Sequence, residues 1–231
     1  LGRLMAVDSV SKLIAVAIGI VLLVVVARAR WRDLGLPRNI GQFAGDVRLG
    51  GLAFVAALIP VYTTQLVLIQ FIKPTEHPIL KMATEQFEGW VLAVAALSAV
   101  IVAPIFEEFS FRLLLQGWLE RLEWERLRKL VKPVSAIPDY AETESPSEVA
   151  TNDSATQMDP GGAVPIAISS LLFAAVHFGQ WPAPVSLLPL AVIPGYVYHR
   201  TPRIFPCIVA HLLFNGMSLI IVQMAPPQLG R

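Results

Sequence analysis

Charge is what this chain has least of. Only 15% of its 231 residues are Asp, Glu, Lys or Arg, against 55% hydrophobic, and the mean hydropathy is +0.62. Soluble domains carry about 25% charged residues and 45–50% apolar ones. So few charges cannot cover the outside of a water-soluble fold of this size. That excludes an ordinary soluble enzyme, a disordered chain and a basic-patch nucleic-acid binder. Cysteine is nearly absent too: Cys207 alone excludes an internal disulfide and a cysteine-rich metal site, and its apolar surroundings read as a plain buried thiol. Common catalytic signatures are missing: there is no HExxH, no GxSxG, no glycine-rich phosphate loop and no GxGD pair. The first residue is Leu1 rather than Met, which points to residues missing before it.

What the chain has instead is long uncharged runs. A helix needs about 20 apolar residues to cross about 30 Å of hydrocarbon. Leu13–Ala27, Leu49–Ile72, Gly89–Phe106 and Ile204–Met224 each read as a span. Gly161–Tyr198 has no Asp, Glu, Lys or Arg in 38 residues, and its Trp181-Pro182-Ala183-Pro184 turn divides it into helices near 163–179 and 184–198. Trp31, Trp90 and Trp181 lie near run ends, as interfacial aromatics do. The expected fold is therefore all-α, a multi-pass membrane protein with six to seven transmembrane helices around a polar cavity. The stretch 133–162 carries six acidic residues, no basic one and many Ser, Thr and Pro, and reads as a flexible extramembrane insertion. Glu120–Lys132 reads as a charged interfacial helix. With the N-terminus outside, 12 of the 18 Lys and Arg fall on the inner side, in 28–48, 121–132 and at Arg200 and Arg203.

Ionisable groups at membrane depth cost about 2.5–3.5 kcal/mol each on insertion scales, so their default reading is functional. Three sets stand inside the apolar runs. In Glu107-Glu108-Phe109-Ser110-Phe111-Arg112, Glu108 and Arg112 are four apart and can pair, while Glu107 points about 100° away and stays free. In Phe173–His177, His177 is the one ionisable group of its run. In His211–Asn215 both polar side chains share one helix face. A salt-bridged span end explains the first set as well as chemistry does, and interhelical glue explains the others. Together, a carboxylate, two imidazoles and a carboxamide on separate helices are what water-mediated amide hydrolysis asks for. Two His and a Glu could equally hold a divalent metal. His77 and His199, in polar or run-end positions, read as solvated or interfacial.

EExxxR at 107–112, FxxxH at 173–177 and HxxxN at 211–215, in this order on hydrophobic helices, resemble the CAAX-prenyl-protease and bacteriocin-processing family, also called Abi. The resemblance covers about 89–224, which suggests a protease domain at 89–231 preceded by N-terminal spans and connections at 1–88. Leu113 stands where bacterial members often have a glycine after the motif arginine. The resemblance implies an intramembrane glutamate-type endopeptidase. Glu107 with His177 would activate water, His211 and Asn215 would stabilise the oxyanion, and Glu108 and Arg112 would orient the site. It implies no cofactor, with a divalent metal left open. Its partners would be the bilayer and a membrane-proximal peptide or protein substrate, lipidated or not, with no nucleic acid. Rival readings are a catalytically silent membrane scaffold or sensor and a proton-coupled transporter.

One difficulty attends this reading. If 89–119 is a single helix with Glu107 near the inner face, His177, about 14 residues into a helix leaving that face, lies about 20 Å above it. Proline removes a backbone donor and can break a helix, so a chain reversal at Pro104 is expected, with 107–125 as a separate helix.

Overall fold

The computed structural model describes residues 2–72, 89–130 and 162–224, and all regular structure among them is helical. Helix α1 (Gly2–Val25) leads through a 3-10 turn, Trp31–Leu34, to α2 (Ile40–Phe71). A helical rod follows: α3 (Gly89–Leu97), a π segment Ser98–Val102, α4 (Ala103–Glu108), a second π segment Phe109–Gln116, and α5 (Gly117–Leu130). Then come α6 (Ala163–Ala175), a 3-10 turn Phe178–Gln180, α7 (Ala183–Arg200) and α8 (Phe205–Met224). The acidic stretch at 133–162, apart from Gly162, and the connection holding His77 lie outside the described residues.

Four of these helices are long and apolar enough to cross a membrane: Gly2–Val25, Ile40–Phe71, Gly89–Lys129 and Phe205–Met224. Helix α6 is apolar but shorter, and α7 carries Pro189 and Pro194 inside its 18 residues. The chain is a polytopic all-α membrane protein. Its first helix starts well before the uncharged run, and in that extension Asp8 and Lys12, four apart, pair at 2.7 Å.

Helix α2 begins at a built cap. Asn39 Oδ1 accepts from Gln42 N–H at 2.8 Å, and Gln42 Oε1 accepts from Arg38 N–H at 3.0 Å. The face it buries is made of Gly50, Ala53, Ala57 and Val61, spaced by turns. These small side chains let α8 approach closely; a Cβ on Gly50 would lie 2.6 Å from the Pro206 carbonyl oxygen. Ala57 and Val61 continue into a core with Leu190 of α7 and Phe214 of α8. At one end of this seam Asp46, fully buried, meets Arg203 of the α7–α8 corner at 2.5 Å. Helix α1 packs on the rod through Gly19 and Val16 against Phe109, and through a hydroxyl contact between Ser9 and Ser98.

The rod corrects the expectation at Pro104. The chain does not reverse there, and no separate helix starts at 107: every junction from Leu97 to Gly117 keeps right-handed helical backbone angles. The π segment explains why proline is tolerated. Ala103 N–H already bonds five residues back, to Ser98 O, so the ladder has slipped by one residue where the proline's missing donor falls.

The 20 Å conflict disappears for a different reason. Helix α6 does not enter at the level of Glu107. Gly162, the residue that caps its start, abuts the His199 ring, and His199 Nδ1 lies 3.2 Å from Glu120 Oε1. The entry level is thus that of Glu120. Thirteen residues along the rod and about the same number along the antiparallel α6 each cover about 20 Å, which brings His177 back toward the level of Glu107. His199, read as solvated or interfacial, is not solvated: it is packed under Gly162 with its side chain 9% exposed.

Candidate active site

The site is built where the rod, α6, α7 and α8 meet. Glu107 and Glu108 end α4, and the second π segment starts at Phe109, a widened turn of the kind often found at functional positions. Glu108 and Arg112 pair as their spacing suggests, with Oε2 3.2 Å from Nε and both side chains almost fully buried. The arginine has further partners that hydropathy does not betray. Its Nη1 donates to Ser169 Oγ at 2.8 Å and its Nη2 to the Ala191 carbonyl at 3.0 Å, while Ser169 Oγ donates to the Phe111 carbonyl at 2.9 Å. One guanidinium therefore joins the rod to α6 and α7, using the forked geometry that only arginine offers.

Glu108 is held from the other side by His211 Nδ1, 2.8 Å from Oε1. A carboxylate accepts there, so Nδ1 carries the proton and Nε2 turns outward. Nε2 lies 3.7 Å from Glu107 Oε2. The two glutamates thus flank one imidazole, but with unequal surroundings: Glu107 keeps 19% of its side chain exposed and Glu108 2%. Glu107 is the carboxylate a water or a peptide can reach.

Phe173 links the remaining parts. Its ring centroid lies 5.7 Å from that of His211 and 5.0 Å from that of His177, and the Arg112 guanidinium sits 5.6 Å away over the ring. His177 Nδ1 lies 2.9 Å from the Phe173 carbonyl. A carbonyl can only accept, so Nδ1 is the protonated nitrogen and Nε2 presents a lone pair. His177 and His211 thus both border the Phe173 ring. No hydrogen bond joins His177 to Glu107 among the described residues.

Asn215, one turn beyond His211, is anchored to the rod by Nδ2 donating to the Ala99 carbonyl at 2.8 Å. The slipped ladder makes that carbonyl available. In the π register the partner of Ala99 O is residue 104, and Pro104 has no N–H to give. Pro104 thereby frees the acceptor that fixes Asn215, and the second amide hydrogen of Asn215 meets no partner among the described residues. Among the described residues no three His, Cys, Asp or Glu side chains converge as a metal-binding group. Glu108 and His211 Nδ1 are engaged with each other, and the Arg112 charge lies in the same cluster.

Fold and site together define a multi-pass helical membrane protein with a carboxylate–imidazole centre held at depth by a buried arginine. A comparison with known families adds a second finding. Residues 150–217 match the family described as Rce1-like, type II CAAX prenyl endopeptidase, which is the CAAX-protease family that the motifs resemble. The matched stretch holds His177, His211 and Asn215, and covers under a third of the chain. Glu107, Glu108 and Arg112 lie outside it, and it is the packing of the rod on α8 that brings them to His211. No curated protein and no solved structure gives a match.

Proposed function

We propose that this CAAX-protease-type chain is an intramembrane endopeptidase that hydrolyses a peptide bond near the membrane with a water activated by Glu107. The observation that carries the reading is His211 set between Glu107 and Glu108, on a helix that the family match includes. Glu107 is the accessible base. A water between Glu107 and the lone pair of His177 Nε2 gives a proton to Glu107, and its oxygen bonds to the carbonyl carbon. The carbonyl oxygen becomes an oxyanion that accepts the second amide hydrogen of Asn215, beside the His211 ring that Glu108 holds in place. When the intermediate collapses, the carbon–nitrogen bond breaks and Glu107 passes its proton to the leaving amine. Glu108 and Arg112 do not react; they fix the His211 ring, with Ser169 and the Ala191 carbonyl fixing Arg112. General-base transfer of this kind contributes about 10²–10⁴ in rate, and orientation and oxyanion stabilisation supply the rest.

The geometry favours this over a silent scaffold. A scaffold has no use for a carboxylate left accessible beside an imidazole whose tautomer is set by a second, buried carboxylate. The family's substrate class makes a prenylated C-terminal peptide the first substrate to offer, with its unprenylated form and other membrane-proximal peptides beside it. The test is cleavage by the purified chain in lipid vesicles, with and without chelator. Chelator-resistant cleavage that disappears in Glu107→Gln supports the mechanism. Cleavage that needs a divalent ion turns it into a metal-dependent protease, and no cleavage of any peptide class favours the scaffold.

A further inference from the structure

The α1–α2 connection takes no part in the site above. Within residues 28–38 it carries Arg28, Arg30, Arg32 and Arg38 against a single acid, Asp33. All four arginines are exposed, and so is Trp31, at 71%. Asp33 is engaged locally: it accepts the Arg30 backbone N–H at 2.7 Å and lies 3.7 Å from Arg32 Nε, an exposed pair that contributes little.

The connection is nevertheless firmly docked. Leu34 is buried, and Gly35, at φ +66, packs backbone to backbone on Ile204, where a Cβ would lie 2.7 Å from the Ile204 nitrogen. Phe205 N–H donates to Gly35 O at 3.4 Å, and Phe43 packs against the Phe205 ring at 5.4 Å. These anchors fix the backbone that carries the arginines, which reduces the chain entropy lost when an anion binds. The segment also joins two helices that are long and apolar enough to cross a membrane, so it lies at one end of both. Val25, Val26 and Ile40, exposed beside it, continue the hydrocarbon-facing surface, with Trp31 at the interface.

We propose that the Arg28–Arg38 segment is a binding site for the phosphate headgroups of anionic lipids. Guanidinium groups match phosphate oxygens in pairs, and clustered cations beside a span attract anionic lipid. The rival occupant is the chain's own acidic stretch at 133–162. Lipid is favoured because exposed Trp31 and Leu36 stand among the arginines, a mix of apolar and cationic groups that suits a bilayer interface.

The test needs no catalytic readout. The full chain is placed in phosphatidylcholine vesicles with rising amounts of brominated phosphatidylglycerol, or of brominated phosphatidylcholine. Trp31 quenching is taken as the difference from the same chain carrying Trp31→Phe. The expected result is a several-fold preference for the anionic lipid, up to about fivefold per arginine engaged. Replacing all four arginines by Gln should abolish the preference, and replacing them by Lys should keep most of it. Should the fourfold Gln chain not fold, Arg28→Gln/Arg30→Gln and the Lys chain make the same comparison. Equal quenching by the two lipids, or a preference unchanged by Gln, overturns the proposal. So does a preference that emerges only when the six acids of 133–162 are neutralised.

Discussion

Replacing Arg112 by Met keeps roughly the volume of the side chain and removes its charge and five donors. Glu108 would then be a carboxylate with 2% of its side chain exposed and only His211 to compensate it. Ser169 and the Ala191 carbonyl would each lose a buried donor. Breaking a buried ion pair from one side costs about 3–5 kcal/mol, because the remaining charge has lost its partner. Glu108→Gln removes that charge, so the double variant Glu108→Gln/Arg112→Met should recover a substantial part of the loss. A coupling of about 1–3 kcal/mol is expected between the two positions. The assay is thermal or denaturant unfolding in detergent micelles, followed by far-UV circular dichroism, for wild type, both single variants and the double. Since the pair is buried, raising the salt should leave the coupling nearly unchanged. Strictly additive effects, or Arg112→Met unfolding like wild type, would refute the claim that this arginine holds the centre together.

Two further outcomes follow from the packing. Ser169→Ala removes the hydroxyl between Arg112 and the Phe111 carbonyl and should cost about 1–3 kcal/mol in unfolding experiments. In steady-state cleavage kinetics it should lower kcat more than it raises KM, since Ser169 touches no substrate. Pro104→Ala supplies a new N–H that competes for the Ala99 carbonyl and loosens Asn215. Helix content should stay at the wild-type level by circular dichroism while kcat falls about tenfold; collapse of the helix with unchanged chemistry in the remaining folded fraction would contradict the role given to Pro104.

How much of this was legible in the sequence depends on how costly each residue is at depth. Glu107, Glu108, Arg112, His177, His211 and Asn215 stand out because charges and strong polar groups are rare in apolar runs. The Glu108–Arg112 pair follows from helical spacing alone. Ser169 does not stand out, for a single hydroxyl barely disturbs hydropathy and can bond to its own helix. The carbonyls of Ala99 and Ala191 have no side-chain signal at all. The misplaced level of Glu107 came from ending the span at the first charge. In the folded chain Glu108 and Arg112 neutralise each other, and Phe109, Phe111 and Leu113 carry the apolar character onward, so the rod runs on past them to Leu130. The π segments leave no trace in composition, and Pro104 pointed to a break because a proline in an α-register breaks a ladder that here has already slipped. The pair between Asp46 and Arg203 links residues far apart in sequence, which no local pattern reveals.

The central claim is that Glu107 is the base and Glu108 its support. The most direct measurement is the cleavage rate, in lipid vesicles, of a peptide that the wild-type chain cuts, compared with Glu107→Gln while unfolding and helix content are followed in parallel. The account predicts a fall in kcat/KM of about 10²–10⁴ with unfolding close to wild type, because the accessible carboxylate holds the chemistry and little of the structure. A Glu107→Gln chain that cuts the peptide at the wild-type rate would contradict it.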